Sequence, residues 1–319
     1  MKRIFLVAFF FVAGVNAQKG FLEKYLVKNS DQEGHKDEFV LPHIKCNCGH
    51  STIENIRGVR STAKYPNQDR ALFKKLADDQ VVFGIFDGHG KKGGIVSSFV
   101  CTTISGLLYD ERFTDGLFAQ SQNKRKLQLE KVQTIFEEVN KALQKELEIQ
   151  SYAWTNGTTA VVGVLENDQL VVANTGDSRL LVARNGKEIF STKDHKPTEE
   201  CEFARIEQAG GLVVEFYVYD IDARYGLAIS RSLGDISCHR GQIVITKPDV
   251  NTVTVNTGDF IISASDGLFD VMTNKKVIDF VSEKFKLGQS IQQISGTLAD
   301  EARNRGSRDD ITVMIILIS

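Results

Sequence analysis

Proline is scarce, four in 319 residues, so no Pro-rich linker divides the chain. A basic excess is also missing. Lys and Arg total 39 against 41 for Asp and Glu, a formal charge of -2, and no basic stripe marks a nucleic-acid surface. Five cysteines, Cys46, Cys48, Cys101, Cys201 and Cys238, are too few for a dense disulfide scaffold. Their odd number leaves at least one thiol free or available between chains. Cys46-Asn47-Cys48-Gly49-His50 is weak as a zinc fragment, with two close thiols and one His. Repeats and low-complexity segments are absent. A single Trp against twenty Phe points to Phe-based packing and assigns no activity. The length allows one large domain or two ordinary ones, and a hydrophobic content of 42% is enough for a sizeable core.

The start of the chain reads as a targeting segment. Lys2-Arg3 precedes the apolar run Ile4 to Ala13, and Gly14-Val15-Asn16-Ala17 offers small residues for cleavage after Ala17. The run is short for a membrane crossing, so residues 1–17 are expected to be a cleaved signal peptide, with no stable membrane span left afterwards. The expected destination is the secretory pathway, secreted or luminal. Leu317-Ile318-Ser319 supplies no retention or lipid-anchor motif. Residues 18–50 are expected to be an extension in which Phe39-Val40-Leu41 begins an edge strand, with a compact domain over 51–319. Asn156-Gly157-Thr158 is a glycosylation sequon, although the apolar strand after it argues against occupation.

The stretch around which the rest is organised is Asp87-Gly88-His89-Gly90, directly after the apolar run 81–86. That run reads as a buried strand, and Gly88 and Gly90 allow a tight turn that presents a carboxylate and an imidazole together. Ala71-Leu72-Phe73 is expected to pair with it as a hairpin, which brings Asp69 towards Asp87. Two further carboxylates sit at strand ends: Asp266 after the apolar run 260–265 and Asp309-Asp310 before 311–317. Acidic groups at the ends of several strands suggest one hard-metal site.

Apolar spacing predicts a helix over 91–108 and a long amphipathic helix over 125–149, the latter packing on this chain's own sheet through Leu129, Val132, Phe136, Val139, Leu143 and Leu147. Residues 110–123, largely polar, read as a surface insertion or a linker. Short strands follow at 157–165, 170–173 and 180–183, with the hairpin signal Asn185-Gly186. These argue for antiparallel sheets rather than a doubly wound fold. Helices are expected at 199–208 and 289–304, a candidate flap at 212–240 and a final core strand at 311–318.

In this order, Asn67-Gln68-Asp69-Arg70, Asp87-Gly88-His89-Gly90, Gly157-Thr158-Thr159-Ala160, Gly176-Asp177-Ser178-Arg179, Asp194-His195-Lys196-Pro197, the run Leu227 to Asp235, Ser265-Asp266-Gly267 and Asp309-Asp310-Ile311-Thr312 resemble the metal-dependent protein serine/threonine phosphatases of the PP2C, or PPM, family, over roughly residues 51–319. The resemblance implies an α+β fold, an α-β-β-α sandwich of two central, mostly antiparallel sheets flanked by helices. It implies hydrolysis of phosphoserine and phosphothreonine in phosphoprotein substrates by a hydroxide bridging two Mn²⁺ or Mg²⁺ ions. Asp87, the carbonyl of Gly88, Asp266 and Asp309 match the family's direct ligands, and Asp69 a carboxylate acting through bound water. His89 matches the general acid, and Asp177 with Asp266 a weaker third-metal site. Paired ions about 3.5–4 Å apart can neutralise charge and align an ester, whereas close carboxylates without metal repel.

Three departures stand out. Gln68 replaces a common Glu and loses its charge. The usual phosphate-binding Arg aligns with Lys64, with Arg60 farther back, and a point charge replaces a bidentate fork. The usual Asp-Asn is Asp309-Asp310. The expected activity is therefore that of a monomeric phosphatase with no nucleic-acid partner. Alternatives are a weakly active phosphatase-like binding protein, a membrane-associated module that keeps its first segment, and a different metal-dependent phosphoesterase.

Overall fold

Strands with apolar residues on both faces need a covering layer on each side, and this chain supplies three apolar layers for two sheets. The computed structural model describes residues 36–40, 45–53, 67–77, 80–108, 122–149 and 155–319. The expected signal peptide, the bulk of the 110–123 insertion, Arg60 and Lys64 lie outside the described residues.

In chain order the elements are β1 (Lys36–Val40), β2 (Lys45–Ile53), β3 (Arg70–Ala77), β4 (Gln80–Phe86) and β5 (Gly88–His89), then helices α1 (Gly93–Leu108) and α2 (Gln122–Ile149). Strands β6 (Gly157–Thr158), β7 (Ala160–Glu166), β8 (Gln169–Thr175), β9 (Arg179–Arg184) and β10 (Lys187–Ser191) follow, then α3 (Glu200–Gln208). Short pieces come next: β11 (Leu212–Val214), β12 (Tyr217–Tyr219), β13 (Gly226–Leu227), β14 (Leu233–Gly234) and α4 (Ile236–His239). The chain closes with β15 (Asp249–Thr254), β16 (Phe260–Ala264), α5 (Asp266–Phe269), α6 (Asn274–Lys286), α7 (Ile291–Asn304) and β17 (Ile311–Ile318).

One sheet runs β1-β2-β17-β16-β9-β10 and the other β15-β8-β7-β4-β3, all antiparallel. Alternation assigns the faces. Val81, Phe83 and Ile85 of β4 meet Leu180, Val182, Ile261, Met314 and Ile316 between the sheets. Val82 and Phe86 point the other way, to Val96, Val100 and Ile104 of α1 and Val132, Phe136, Val139 and Leu143 of α2. Beyond the other sheet, Ile262, Val313 and Ile315 pack on Val277, Val281, Ile294 and Leu298 of α6 and α7. The fold is thus the expected α+β sandwich, and α2 packs on its own sheet.

Two expectations change. The edge strand expected at Phe39 is present as β1, and β2 pairs along the whole of β17. The sandwich therefore reaches back to residue 36 rather than starting at 51, because β17 needs a hydrogen-bonded neighbour on the side away from β16. The second change concerns α6 and β15, which the sequence reading left unassigned. Thr273 caps α6 by accepting from the backbone of Lys276, and Val277, Ile278 and Val281 form its buried face. The 212–240 region holds a three-stranded antiparallel sheet, β11-β12-β13, packed through Val218 on Ile206, Cys238, Ile243 and Val244.

Cys101, Cys201 and Cys238 are free thiols. Asn156 is buried, and its side-chain oxygen accepts from the backbone N–H of Lys92. A glycan must project into solvent, so the folded chain gives the sequon no access. Among the described residues no helix is long and apolar enough to cross a membrane.

Candidate active site

Antiparallel pairing brings the predicted acids together. Arg70 pairs with Phe86, so Asp69, just before β3, and Asp87, just after β4, leave the same end of that sheet. Ala264 pairs with Val313, so Asp266 and Asp309 leave the matching end of the other. Asp177 follows β8 by two residues.

Hydrogen bonds sew the two ends to each other. Ser265 Oγ donates to Asp69 Oδ2 at 2.8 Å and accepts from the backbone of Thr312 at 3.0 Å. The backbone N–H of Gln68 donates to Asp310 Oδ2 at 2.8 Å. Asp310, read from sequence as added negative charge, is therefore also a tie across the sandwich. Gln68 Nε2 donates to the carbonyl of Gly90 at 3.0 Å, which braces the Asp87-Gly88-His89-Gly90 loop. Asp87 is held by its backbone: its N–H donates to Thr159 Oγ1 at 3.0 Å, and its carbonyl accepts from Thr159 N–H at 2.9 Å.

The two glycines of that loop have different duties. Gly90 has φ +86°, the left-handed turn expected. Gly88 instead lies in β5, where a Cβ would stand 2.6 Å from the carbonyl of Gly93 and 2.7 Å from that of Gln68. Its requirement is close approach of three backbone segments, not a turn.

The electrostatics are those of crowded anions. Burial first, and then Asp69, Asp266, Asp309 and Asp177, push the Asp87 carboxyl well above the usual range. Asp266 is pushed up by burial, then by Asp177, Asp270 and Asp309. Burial and Asp310 raise Asp69 to about 7. One oxygen of Asp69 and one of Asp266 are buried without a hydrogen-bond partner. Among the described residues no three His, Cys, Asp or Glu side chains are already closed to ligand spacing. Hard carboxylate oxygens, two of them orphaned, in one shared negative field are nevertheless the donor set that suits Mg²⁺ or Mn²⁺.

A stability consequence follows with a definite sign. An Asp whose folded pKa is raised holds its proton where the unfolded chain, near pH 4, has already lost it, so stability falls as pH rises through the window up to about 7. Half-buried His239, lowered to about 4 by burial, opposes this trend below about pH 6.5. The informative comparison is therefore differential. In EDTA, the Tm of the wild type should fall relative to that of Asp69→Asn between about pH 5 and about pH 7.5. Parallel curves in a thermal-shift series would refute the assignment.

His89 is the other predicted side chain at this end, with 28% of its side chain exposed. Its Nε2 lies 2.7 Å from Asp235 Oδ2, and that same oxygen accepts from Ser232 Oγ at 2.6 Å. Burial would lower the His89 pKa, but the Asp235 carboxylate more than offsets it and the imidazolium is favoured. Asp235 is 1% exposed and left-handed at φ 47°. It ends a quoted motif, but no local signal gives it a role; only the pairing of β5 and β14 on opposite sides of β6 reveals it as the His89 partner. Lys196, likewise quoted without a role, places its Nζ on Asp177 Oδ2.

The protein-family model described as "Protein phosphatase 2C" matches residues 54–311. "Probable protein phosphatase 2C 59" of Oryza sativa subsp. japonica is 33% identical over 240 residues, covering 74% of this chain and 65% of that protein. "Protein phosphatase 1A" of Bos taurus is 31% identical over 244 residues, covering 73% and 61%. The chain thus spans less than two thirds of the length of these relatives. Among solved structures, a serine-threonine phosphatase 2C from Toxoplasma gondii superposes with a TM-score of 0.71 at 22% identity, over 90% of this chain and 99% of that one. A C. elegans sex-determining protein superposes with 0.64 at 18% identity, over 95% and 71%. At these identities the superpositions speak for the fold, while the family match extends over most of the chain's length and takes in Asp69, Asp87, His89, Asp177, Asp266 and Asp309. The chain belongs to the protein phosphatase 2C family.

Proposed function

We propose that this chain hydrolyses phosphoserine and phosphothreonine esters of proteins with two divalent cations, Mn²⁺ or Mg²⁺. The observation that carries the reading is the convergence of Asp69 and Asp87 from one sheet with Asp266 and Asp309 from the other, Asp87 being half-buried in the field of the rest. Asp87, the Gly88 carbonyl, Asp266 and Asp309 would hold the ions, with Asp69 acting indirectly. When bound, the ions would neutralise the phosphate's charge and make water a stronger nucleophile at neutral pH.

The remaining chemistry belongs to the chain's own side chains. Asp235 engages Nε2 of His89, which leaves Nδ1 as the nitrogen from which a proton can pass to the departing serine or threonine oxygen as its bond to phosphorus breaks. Ser232 fixes Asp235, and Asp235 keeps the imidazole charged for that transfer. Lys64, or Arg60 behind it, is the cation proposed for the ester's phosphate. A fall in phosphopeptide affinity after alanine substitution at one of the two positions would identify it.

Release of phosphate from a phosphothreonine peptide, followed in EDTA, Mg²⁺ and Mn²⁺, tests the whole reading. Cation-dependent release supports it. A folded protein that binds Mn²⁺ yet releases nothing from several phosphopeptides would favour a phosphatase-like binding protein, a reading to which the neutral Gln68 lends weight. Entry into the secretory pathway belongs to the same proposal, and intact-mass analysis showing residues 1–17 still attached would remove it.

Gly157 offers a test that substitutes neither partner of the His89 pair. A Cβ there would lie 2.0 Å from Asp235 Oδ2 and 2.6 Å from His89 Nε2. Gly157→Ala should force the pair apart and lower turnover by about 100-fold, the order expected for an ångström-scale misplacement. Cation affinity should be retained. An unchanged kcat would show that the pair's placement does not matter.

A further inference from the structure

The resemblance gave Asp177 and Asp266 to a weak third cation, but the structure has already put a positive charge on Asp177. Gly176 and His195 bond each other twice: Gly176 N–H donates to His195 Nδ1 at 3.1 Å, and His195 N–H donates to the Gly176 carbonyl at 3.0 Å. His195 is buried, with its Nε2 3.2 Å from Asp249 Oδ2. This clasp sets Asp177 and Lys196, each one residue further along its strand or loop, side by side. The Lys196 ammonium donates to Asp177 Oδ2 and also lies in the field of Asp266 and Asp270. The neighbouring Arg179 is committed elsewhere. It grips Asp194 with two nitrogens at 2.9 and 2.6 Å, donates to Asn274, and stacks on Phe269.

We propose that Lys196 is a built-in counter-ion of Asp177, and that a third divalent cation binds there only by displacing it. The inference rests on the bimetal reading above, since it concerns the ion added after the first two. Lysine suits such a role: it is a compact charge on a flexible stem, and 29% of this side chain is exposed, so the ammonium can swing out to water. Asp177 is buried, and without Lys196 it would keep only the Coulombic influence of Arg179 and His89, an under-compensated carboxylate that an incoming cation can satisfy.

The test is a Mn²⁺ titration of the chelator-treated full-length chain, following free Mn²⁺ by electron paramagnetic resonance. The wild type should bind two ions and a much weaker third. Lys196→Met, similar in length and neutral, should bind the third ion about tenfold or more tightly, the order of one charge-assisted contact. Lys196→Arg, which keeps the positive charge, should show no gain, and adding Asp177→Asn to Lys196→Met should erase the gain. A third-site affinity unchanged in Lys196→Met overturns the inference and leaves the two-ion reading standing. Absence of any Mn²⁺ binding by the wild type overturns both. If Lys196→Met does not fold, the wild type itself reports. Acylation of Lys196, read by peptide mass spectrometry, should rise only over the Mn²⁺ range that fills the third site, and flat reactivity to saturation overturns the inference.

Discussion

Asp87→Asn should cut cation-dependent phosphate release by at least about 100-fold, more than is usual for residues that merely support a metal ligand, and should at the same time raise the Tm of the metal-free protein. Both effects come from one cause. Asp87 is half-buried and faces Asp69, Asp266, Asp309 and Asp177. Neutralising it relieves repulsion in the folded state and removes the group on which shared cation binding would depend. The backbone anchor to Thr159 uses only main-chain atoms of Asp87, so the loop should survive the substitution. Thermal denaturation in EDTA and in Mn²⁺ checks the pair of effects: the wild type should be stabilised by Mn²⁺, and Asp87→Asn should start higher and gain little. A variant that keeps its activity, or loses stability in EDTA, would show that Asp87 is an ordinary capping residue. This opposition of stability and function is common where like charges are gathered for chemistry.

The second large effect concerns the proton. His89→Ala should slow hydrolysis of a phosphothreonine peptide by roughly 10²–10⁴-fold, the range for general acid catalysis. It should barely affect p-nitrophenyl phosphate, whose leaving group needs no proton. Asp235→Asn should show the same preference for the good leaving group, with a loss no larger than that of His89→Ala. Asp235 acts through His89, by way of the 2.7 Å contact to Nε2, so the double variant should be no slower than His89→Ala alone. Equal losses on both esters would remove the general-acid role. Fully additive losses would show that Asp235 contributes to folding rather than through His89.

Much of the fold was legible because its strands carry a plain signal. Apolar runs at 81–86, 160–165, 260–264 and 311–318 are buried on both faces, and they appear as β4, β7, β16 and β17. Helices α1 and α2 followed from apolar spacing of threes and fours, and α3 and α7 fall where helices were expected, at 199–208 and 289–304. α6 carries the same spacing in a shorter form, with Val277, Ile278 and Val281, and could have been found behind Thr273. β15 mixes exposed and half-buried residues with none fully buried and has little to distinguish it from a loop until β8 pairs with it. β2 is also weak in sequence. Its Lys45-Cys46-Asn47-Cys48-Gly49-His50 has no apolar run, and its place beside β17 is set by hydrogen bonding.

The candidate site divides in the same way. Residue type and position at strand ends were enough to single out Asp69, Asp87, His89, Asp266 and Asp309, since carboxylates gathered at the ends of apolar strands have few structural uses, whereas Asp177 came only from the family resemblance. Pairs made between distant segments were not available. Asp235 lies 146 positions from His89, and Ser265 lies 196 from Asp69. Lys196 lies 19 from Asp177 and stood in a quoted motif without a role. Local chemistry along the chain determined which groups can bind cations or move a proton and which stretches must be buried. Sheet register decided which of those groups meet, because hydrogen-bonded pairing between remote strands fixes neighbours that no local property of the chain encodes.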